Sequence, residues 1–217
     1  MKKIFIFDLD GTLLNTLEDL KDAVNYSLSK FNYPKYTLED IRLFVGNGVK
    51  KLIERALPNG LNNKDFDECL SIFKKSYKEN MYNKTYIYEG VIDMLKSLKD
   101  KGIKTAIVSN KFDLAVKELA QKYFDGLIDI ALGENEKEGI RKKPAPDTVF
   151  KVLKLMNLTQ DDAIYIGDSD VDIMTAKNSS MPCISVTWGF RDKNFLLENG
   201  AKIIVYSPKE ILNYIES

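Results

Sequence analysis

The sequence predicts an α/β fold, a doubly wound parallel sheet with an inserted all-helical cap domain. Short apolar runs alternate with segments of helical periodicity, which is typical of βα units around a parallel sheet. Residues 16–83 depart from this alternation, because they show helical patterns and no convincing strand. Polar clusters follow several of the apolar runs, at the strand ends where open α/β sheets place their active sites.

The candidate strands are short apolar or β-branched runs. They span residues 4–7, 105–108, 128–132, 163–166, 183–187 and 202–205. Apolar residues recur at helical spacing at Val91, Leu95 and Leu98, at Leu114, Leu119 and Tyr123, at Val149, Leu153 and Met156, and at Ile211, Leu212 and Ile215. Gly102, Gly126 and Gly200 follow expected helix ends, where a left-handed residue is common.

The helical block after the first strand is the candidate cap. Because it interrupts an α/β core, we expect it to act as a lid that excludes water from the site. The predicted domains are a catalytic core of residues 1–15 and 84–217 and a helical cap of residues 16–83.

Composition narrows the classes of partner and chemistry. Lys+Arg and Asp+Glu each number 32, so no basic excess predicts binding to nucleic acid or to a membrane surface. The apolar run 4–7 is shorter than a secretory signal requires, and the two cysteines suggest free thiols, so we expect a soluble, cytoplasmic protein. The chain has no histidine, so proton transfer must use carboxylates, lysine, tyrosine or cysteine.

Asp8 and Asp10 close the first predicted strand and precede Gly11 and Thr12. Asp-Gly alone is an ordinary turn dipeptide. However, two carboxylates two residues apart lean to the same side, and like charges that close need a cation or a shared proton. The Thr12 hydroxyl can donate a hydrogen bond to an anion.

A second acidic run, with Asp168, Asp170 and Asp172, follows the strand predicted at 163–166. Such a run can simply cap a helix. Together with the first pair, however, it offers the hard oxygen ligands that Mg²⁺ prefers. The sequence therefore predicts a Mg²⁺ site between these two strand ends.

Donors for an anionic substrate are expected beside the carboxylates. Ser109 and Asn110 follow the strand predicted at 105–108 and offer hydroxyl, amide and backbone donors. Lys143 lies in a basic run, 141–143, that is also typical of a solvated surface, but a stiff Pro-Ala-Pro segment follows it. We expect Lys143 to be the one cation of the site and to bind a phosphate.

In order and type, these clusters resemble the motifs of the haloacid dehalogenase (HAD) superfamily. That family has an aspartate nucleophile in DxDGT, then a Ser or Thr, then a lysine, then an acidic GDxxxD motif. The chain matches with residues 8–12, Ser109, Lys143 and residues 167–172. The resemblance covers nearly the whole chain and implies a Rossmann-like core with a helical cap inserted after the first motif.

The resemblance implies a role for each motif. Asp8 would attack phosphorus, and Asp10 would protonate the leaving oxygen and then activate water. The Asp8 carboxylate, the Asp10 backbone carbonyl and Asp168 would hold Mg²⁺. Asp172 would lie behind the metal or orient Lys143. The phosphate-binding residues would be Thr12, Ser109, Asn110 and Lys143.

Residues 44–51 of the predicted cap resemble the substrate loop of phosphoglycolate phosphatases in this family. Gly46, Asn47, Gly48 and Lys50 are therefore the candidate residues for substrate specificity. Arg42, Lys50 and Lys51 would pair with a substrate carboxylate, unless they are only surface charges of a helix.

A small phosphorylated metabolite is thus the expected partner, with phosphoglycolate favoured. A pyrophosphatase, a nucleotidase and a sugar phosphomutase are the alternatives in the family, whereas dehalogenases lack an acid at the position of Asp10. Outside hydrolysis, a receiver-like signalling domain or an inert binding module is the alternative. Receiver domains are shorter, lack the insert and do not carry their phosphorylated aspartate on the first strand. The sequence does not predict the oligomeric state.

Overall fold

A computed structural model describes residues 1–135 and 139–216. The chain divides into two compact units, the first of Met1–Leu14 and Ile87–Ser217, the second of Asn15–Tyr86. The second unit is therefore a single insertion in the chain of the first. The assignment of these units as catalytic core and cap stays a prediction.

The strands are, in chain order, β1 (Ile4–Phe7), β2 (Leu14–Asn15), β3 (Tyr86–Ile87), β4 (Lys104–Phe112), β5 (Ile130–Glu134), β6 (Ala163–Gly167), β7 (Cys183–Val186) and β8 (Ile203–Val205). The helices are α1 (Leu17–Ser29), α2 (Leu38–Phe44), α3 (Val49–Ala56), α4 (Phe66–Asn80), α5 (Val91–Asp100), α6 (Asp113–Phe124), α7 (Asp147–Met156), α8 (Asp170–Asn178), α9 (Lys193–Glu198) and α10 (Pro208–Ile211). Short 3₁₀ turns add Gly60–Asn62, Gln160–Asp162 and Leu212–Tyr214.

A parallel sheet of six strands, in the order β5-β4-β1-β6-β7-β8, forms the centre of the first unit. Strand β1 lies between β4 and β6, with Phe7 opposite Ile107 on one side and Ile166 on the other. All four residues of β1 are fully buried, as expected of a strand with helices on both faces of its sheet. The predicted α/β fold with a parallel sheet is confirmed.

Apolar faces of the helices cover this sheet. Val149 and Val152 of α7 belong to one buried cluster with Ile4, Val108 and Tyr165 of the strands. The helices predicted at α5, α6 and α7 are confirmed. The apolar face predicted for α6 was wrong in part, because Leu114 is exposed, whereas Val116, Leu119 and Phe124 are buried. The last predicted helix is shorter, because α10 gives way to a 3₁₀ turn after one turn of helix.

Strand β4 differs from its prediction. It continues through Phe112 instead of ending at Val108, and its pairing with β5 shifts between these two residues. The extension ends with Phe112 and includes Ser109, Asn110 and Lys111, which are polar and yet buried. Because their polar groups are satisfied by hydrogen bonds and ion pairs, the strand can carry them without an apolar pattern. Strand β5 begins at Ile130, two residues later than predicted.

The second unit is built from α1 to α4 and the 3₁₀ turn at Gly60–Asn62. Its core contains the stacked rings of Phe73 and Tyr77, whose centroids are 5.7 Å apart. The buried carboxylate of Asp19 in α1 accepts the backbone N–H groups of Lys84 and Thr85, which anchors the returning chain to the first helix. No helix in the described part of the chain is long and apolar enough to cross a membrane.

Candidate active site

Three neighbouring strands end at one edge of the sheet and bring the predicted clusters together. Asp8 directly follows β1, Asp168 directly follows β6, and Ser109 and Asn110 lie in the last part of β4. Lys143 comes from the loop between β5 and α7. Because these strands are parallel and adjacent, distant parts of the chain form one site.

Asp8 is a buried carboxylate in contact with a cation. Its Oδ1 lies 2.9 Å from Nζ of Lys143 and accepts the backbone N–H of Leu9 at 2.7 Å. Burial raises the pKa of Asp8 well above its usual range, Lys143 opposes this, and the charges of Asp172 and Asp168 add to it. The site therefore favours an additional positive charge near Asp8.

Lys143 is fixed at both its side chain and its backbone. Its Nζ lies 2.7 Å from Oδ1 of Asp172 and donates to the hydroxyl of Tyr165 at 3.1 Å. Its backbone N–H donates to Oδ1 of Asn110 at 2.7 Å, and its carbonyl accepts from Nδ2 of that residue at 3.0 Å. Burial alone would lower the pKa of this ammonium, but Asp172 and Asp8 raise it well above its usual value. Lys143 is thus a fixed positive charge.

The side chain of Asp10 pairs with Lys111, a residue that the sequence analysis missed. The Nζ of Lys111 lies 2.9 and 3.0 Å from the two carboxylate oxygens of Asp10. The backbone N–H of Lys111 donates to the hydroxyl of Ser109 at 3.2 Å, and both residues are buried. The prediction that Lys143 is the one cation of the site was wrong, because Lys111 is a second one.

Asp168 is held by groups from two loops. Its Oδ2 accepts the backbone N–H of Phe190 at 2.7 Å, and its Oδ1 accepts the hydroxyl of Thr12 at 3.3 Å. Burial and the charge of Asp172 raise the pKa of Asp168 to about 7. At Gly11, where φ is +90°, a Cβ atom would lie 2.3 Å from Oδ2 of Asp168, so this close approach requires glycine.

The buried carboxylates of Asp8, Asp168 and Asp172 offer oxygen atoms within 4.8 Å of one another. Burial and mutual repulsion raise the pKa values of Asp8 and Asp168, so a divalent cation between them would compensate an excess of negative charge. Hard carboxylate oxygens are the ligands that Mg²⁺ takes, and the donor set therefore fits this ion. The side chain of Asp10 is not part of this cluster, since it pairs with Lys111.

Asp172 is held through both of its carboxylate oxygens, one by the ammonium of Lys143 and the other by Ser169. Oδ1 contacts Lys143, and Oδ2 accepts the backbone N–H of Ser169 at 3.1 Å and its hydroxyl at 2.7 Å. The latter contacts form the capping box at the start of α8. Asp172 is thus placed to orient Lys143. Asp170, which the prediction leaves out of the metal set, is the first residue of α8.

A loop after β7 also reaches this edge of the sheet, and the sequence analysis missed it. The indole N–H of Trp188 donates to the carbonyl of Thr12 at 3.0 Å, while Phe190 donates to Asp168. A Cβ atom at Gly189 would lie 2.3 Å from the Cβ of Asp168, so only glycine fits between them. The carbonyl of Thr12 and the N–H of Phe190 are backbone groups. Contacts of backbone groups cannot be predicted from residue types.

The predicted specificity loop lies in the second unit, between α2 and α3. Gly46 and Gly48 have φ values of +113° and +84°, which side chains with a Cβ rarely adopt. Arg55 of α3 donates to the carbonyl of Phe44 at 2.6 Å and to Oδ1 of Asn47 at 2.8 Å. The loop is therefore braced by an arginine that the sequence analysis did not select.

The cations near this loop differ in their surroundings. Arg42 pairs with Glu39 at 3.2 Å, and Lys51 pairs with Glu54 at 2.5 Å, each within its own helix. Lys50 is exposed. Surface pairs of this kind contribute little to stability, so they leave both cations available to rearrange. Pairing of these cations with a substrate carboxylate stays a prediction.

Comparisons with known proteins identify the family of this chain. Residues 5–186 match the haloacid dehalogenase-like hydrolase family. The phosphoglycolate phosphatase of Colwellia psychrerythraea is 33% identical, covering 87% of this chain and 86% of that protein. That of Pseudomonas syringae pv. tomato is 31% identical and covers 98% of this chain and 79% of that protein.

Solved structures agree as well. A crystal structure from Lactobacillus delbrueckii subsp. bulgaricus, provisionally described as a phosphoglycolate phosphatase, matches with a TM-score of 0.94 and 38% identity over 99% of both chains. The resemblance inferred from the four motifs is thereby confirmed. This chain belongs to the haloacid dehalogenase-like hydrolase family, and it is an enzyme.

Proposed function

We propose that this enzyme is a phosphatase that transfers a phosphoryl group from a small phosphomonoester to Asp8 and then to water. The observation that carries the proposal is the buried ammonium of Lys143, 2.9 Å from the Asp8 carboxylate. A fixed cation beside a carboxylate nucleophile reduces the repulsion between that nucleophile and an anionic phosphate. Asp10, two residues further on, supplies the acid that a chain without histidine needs.

The reaction runs in two steps. In the first, an oxygen of Asp8 attacks phosphorus, the bond from phosphorus to the leaving oxygen breaks, and protonated Asp10 gives its proton to that oxygen. In the second, Asp10 takes a proton from water, the water oxygen attacks phosphorus, and the bond to Asp8 breaks to release phosphate. Ser109 and Lys143 bind the phosphoryl oxygens throughout, whereas the Thr12 hydroxyl, which the sequence also places among the phosphate ligands, donates its one proton to Asp168.

Mg²⁺ is the cofactor that the carboxylates fit. Asp8 and Asp168 would hold it with the backbone carbonyl of Asp10, and Asp172 would keep Lys143 in place. When bound, the ion supplies positive charge that offsets the negative charge of the nucleophile and of the transferred group. Thr12 and Phe190 hold the Asp168 side chain in position for this role.

Phosphoglycolate is the substrate that we favour, because relatives from two bacteria are named phosphoglycolate phosphatase. We propose that Gly46, Asn47, Gly48 and Lys50 set the preference for the leaving group. The brace from Arg55 supports this, since a loop held in one conformation offers its backbone donors to a carboxylate at little entropic cost. Pyrophosphate, nucleoside monophosphates and sugar phosphates are the alternative substrates.

The test is phosphate release from phosphoglycolate by the purified enzyme. We expect turnover with Mg²⁺, loss of turnover with EDTA, and no turnover by a folded Asp8→Asn variant. Ethyl phosphate, which lacks the carboxylate, should have a kcat/KM lower by about ten- to a hundredfold. Equal efficiencies would remove carboxylate recognition only. A wild type that hydrolyses no phosphomonoester would overturn the proposed function.

The remaining expectations rest on composition. We expect the enzyme to act on a small phosphorylated metabolite and to require neither nucleic acid nor a membrane. A cytoplasmic location fits a chain with two free cysteines.

A further inference from the structure

The proposed mechanism leaves one buried charge of the site without a role, the ammonium of Lys111. Its side chain is 2% exposed, against 20% for the side chain of Asp10 with which it pairs. Burial of an ammonium group is unfavourable in free energy unless a nearby carboxylate compensates for the lost hydration. Lys111 contacts both oxygens of Asp10, whereas Lys143 contacts Asp8 and Asp172. The two lysines thus serve different carboxylates.

The fold places Lys111 through local features of the sheet. The pairing of β4 with β5 shifts between Val108 and Phe112, and such irregularities redirect side chains. The hydroxyl of Ser109 accepts the backbone N–H of Lys111. On the neighbouring strand, a Cβ atom at Gly133 would lie 2.5 Å from the carbonyl oxygen of Lys111, so glycine is required for this approach. These contacts fix the backbone from which the lysine reaches Asp10.

We propose that Lys111 is a positioning residue for Asp10, holding its carboxylate in the orientation that proton transfer requires. The inference rests on the proposed function, in which Asp10 is the acid and then the base. A partly exposed aspartate would otherwise sample several rotamers, and contact with both of its oxygens restricts them. Lys111 acts through Asp10 and not on the substrate.

The test is a double-mutant cycle between Lys111→Met and Asp10→Asn, with phosphoglycolate as substrate. Lys111→Met alone should lower kcat by about ten- to a hundredfold, the scale of a misplaced catalytic group, with little change in KM. In the Asp10→Asn background it should add less than about twofold, because the residue through which it acts is already disabled. Lys104→Met is the matched control, since Lys104 lies at the other end of β4 and pairs with Asp129 at 3.1 Å.

A second readout separates positioning from general damage. p-Nitrophenolate leaves without a proton, whereas attack of water still needs Asp10 as base. Lys111→Met should therefore release about one p-nitrophenolate per enzyme in a burst and then turn over slowly. Lys111→Arg should show the same burst with a smaller loss of steady-state rate, and it carries the test if Lys111→Met does not fold.

The outcomes are distinct. The inference fails if Lys111→Met lowers kcat by the same factor in both backgrounds, because Lys111 would then act on the substrate or on the fold. An unchanged kcat, or a slow reaction without a burst, overturns it as well. A wild type inactive on both substrates instead overturns the proposed function.

Discussion

The chain has no histidine, so no imidazole titrates between pH 5.5 and 7.5. The change of its free energy of unfolding over this range therefore reports on the buried carboxylates. The pKa of Asp168 is about 7 in the folded protein, against about 3.9 in an unfolded chain. Between these values the folded state keeps a proton that the unfolded state has released, so stability falls as the pH rises. For metal-free protein, the titration of Asp168 alone should remove about 2 kcal/mol from the free energy of unfolding between pH 5.5 and 7.5.

Other groups do not cancel this effect. Burial raises the pKa of Asp8 as well, which acts in the same direction. The pKa of Lys143 is raised, so its stabilising contribution is lost only in strongly alkaline solution. Hydrogen bonds with Lys3 and Thr159 lower the pKa of Asp162 to about 2, so its contribution is lost only in strong acid.

Thermal unfolding of EDTA-treated protein, followed by circular dichroism, measures the effect. The midpoint at pH 7.5 should lie roughly 4–8 °C below that at pH 5.5. Asp168→Asn should reduce this difference and leave only the part that Asp8 contributes, while Asp161→Asn, a substitution at an exposed position, should retain it in full. Mg²⁺ should stabilise the protein more at pH 7.5, since its ligands must be deprotonated. A midpoint that is constant or rises with pH would refute the reasoning.

Three further predictions concern individual residues. Gly189→Ala should weaken Mg²⁺ binding at least about tenfold, because the added Cβ atom would overlap Asp168. Displacing a carboxylate from the ion costs more than about 1.4 kcal/mol of binding free energy. An unchanged Mg²⁺ dependence of activity would contradict this prediction. Arg55→Met should reduce kcat/KM for phosphoglycolate about tenfold through loss of its two hydrogen bonds to the loop and spare p-nitrophenyl phosphate; equal losses for both substrates would count against it. Burial raises the pKa of the Cys69 thiol above its usual value, and burial raises the pKa of the Cys183 thiol to about 12. Both should react with Ellman's reagent at pH 8 only after unfolding, and fast labelling of the native protein would disprove their protection.

The parts of the fold that depend on local pattern could be predicted. Strand β1 is a run of four apolar residues followed by Asp8, and the structure gives it the predicted bounds. The order of the motifs along a parallel sheet was enough to expect Asp8, Asp168 and Lys143 in one place. Their contacts follow from topology, which the alternation of elements specifies.

The parts that depend on distant contacts could not be predicted. Lys111 can lie buried in a strand because Ser109 accepts its backbone N–H, Asp10 pairs with its ammonium and Gly133 leaves room for its carbonyl. These partners are distant or depend on the fold, so the local sequence pattern does not predict them. Phe190 acts through its backbone N–H, which every residue except proline carries. The sequence therefore predicted only residues 105–108 as a strand, whereas β4 spans Lys104–Phe112.

Transfer of a phosphoryl group to Asp8 is the central claim, and mass spectrometry of an acid-quenched reaction tests it most directly. Asp10→Asn should slow attack by water and let the intermediate accumulate during turnover of p-nitrophenyl phosphate. We expect one phosphoryl group per protein, located on the peptide that contains Asp8, removed by hydroxylamine and absent from Asp8→Asn. A quenched protein that releases p-nitrophenolate in a burst but carries no phosphoryl group on that peptide would contradict it.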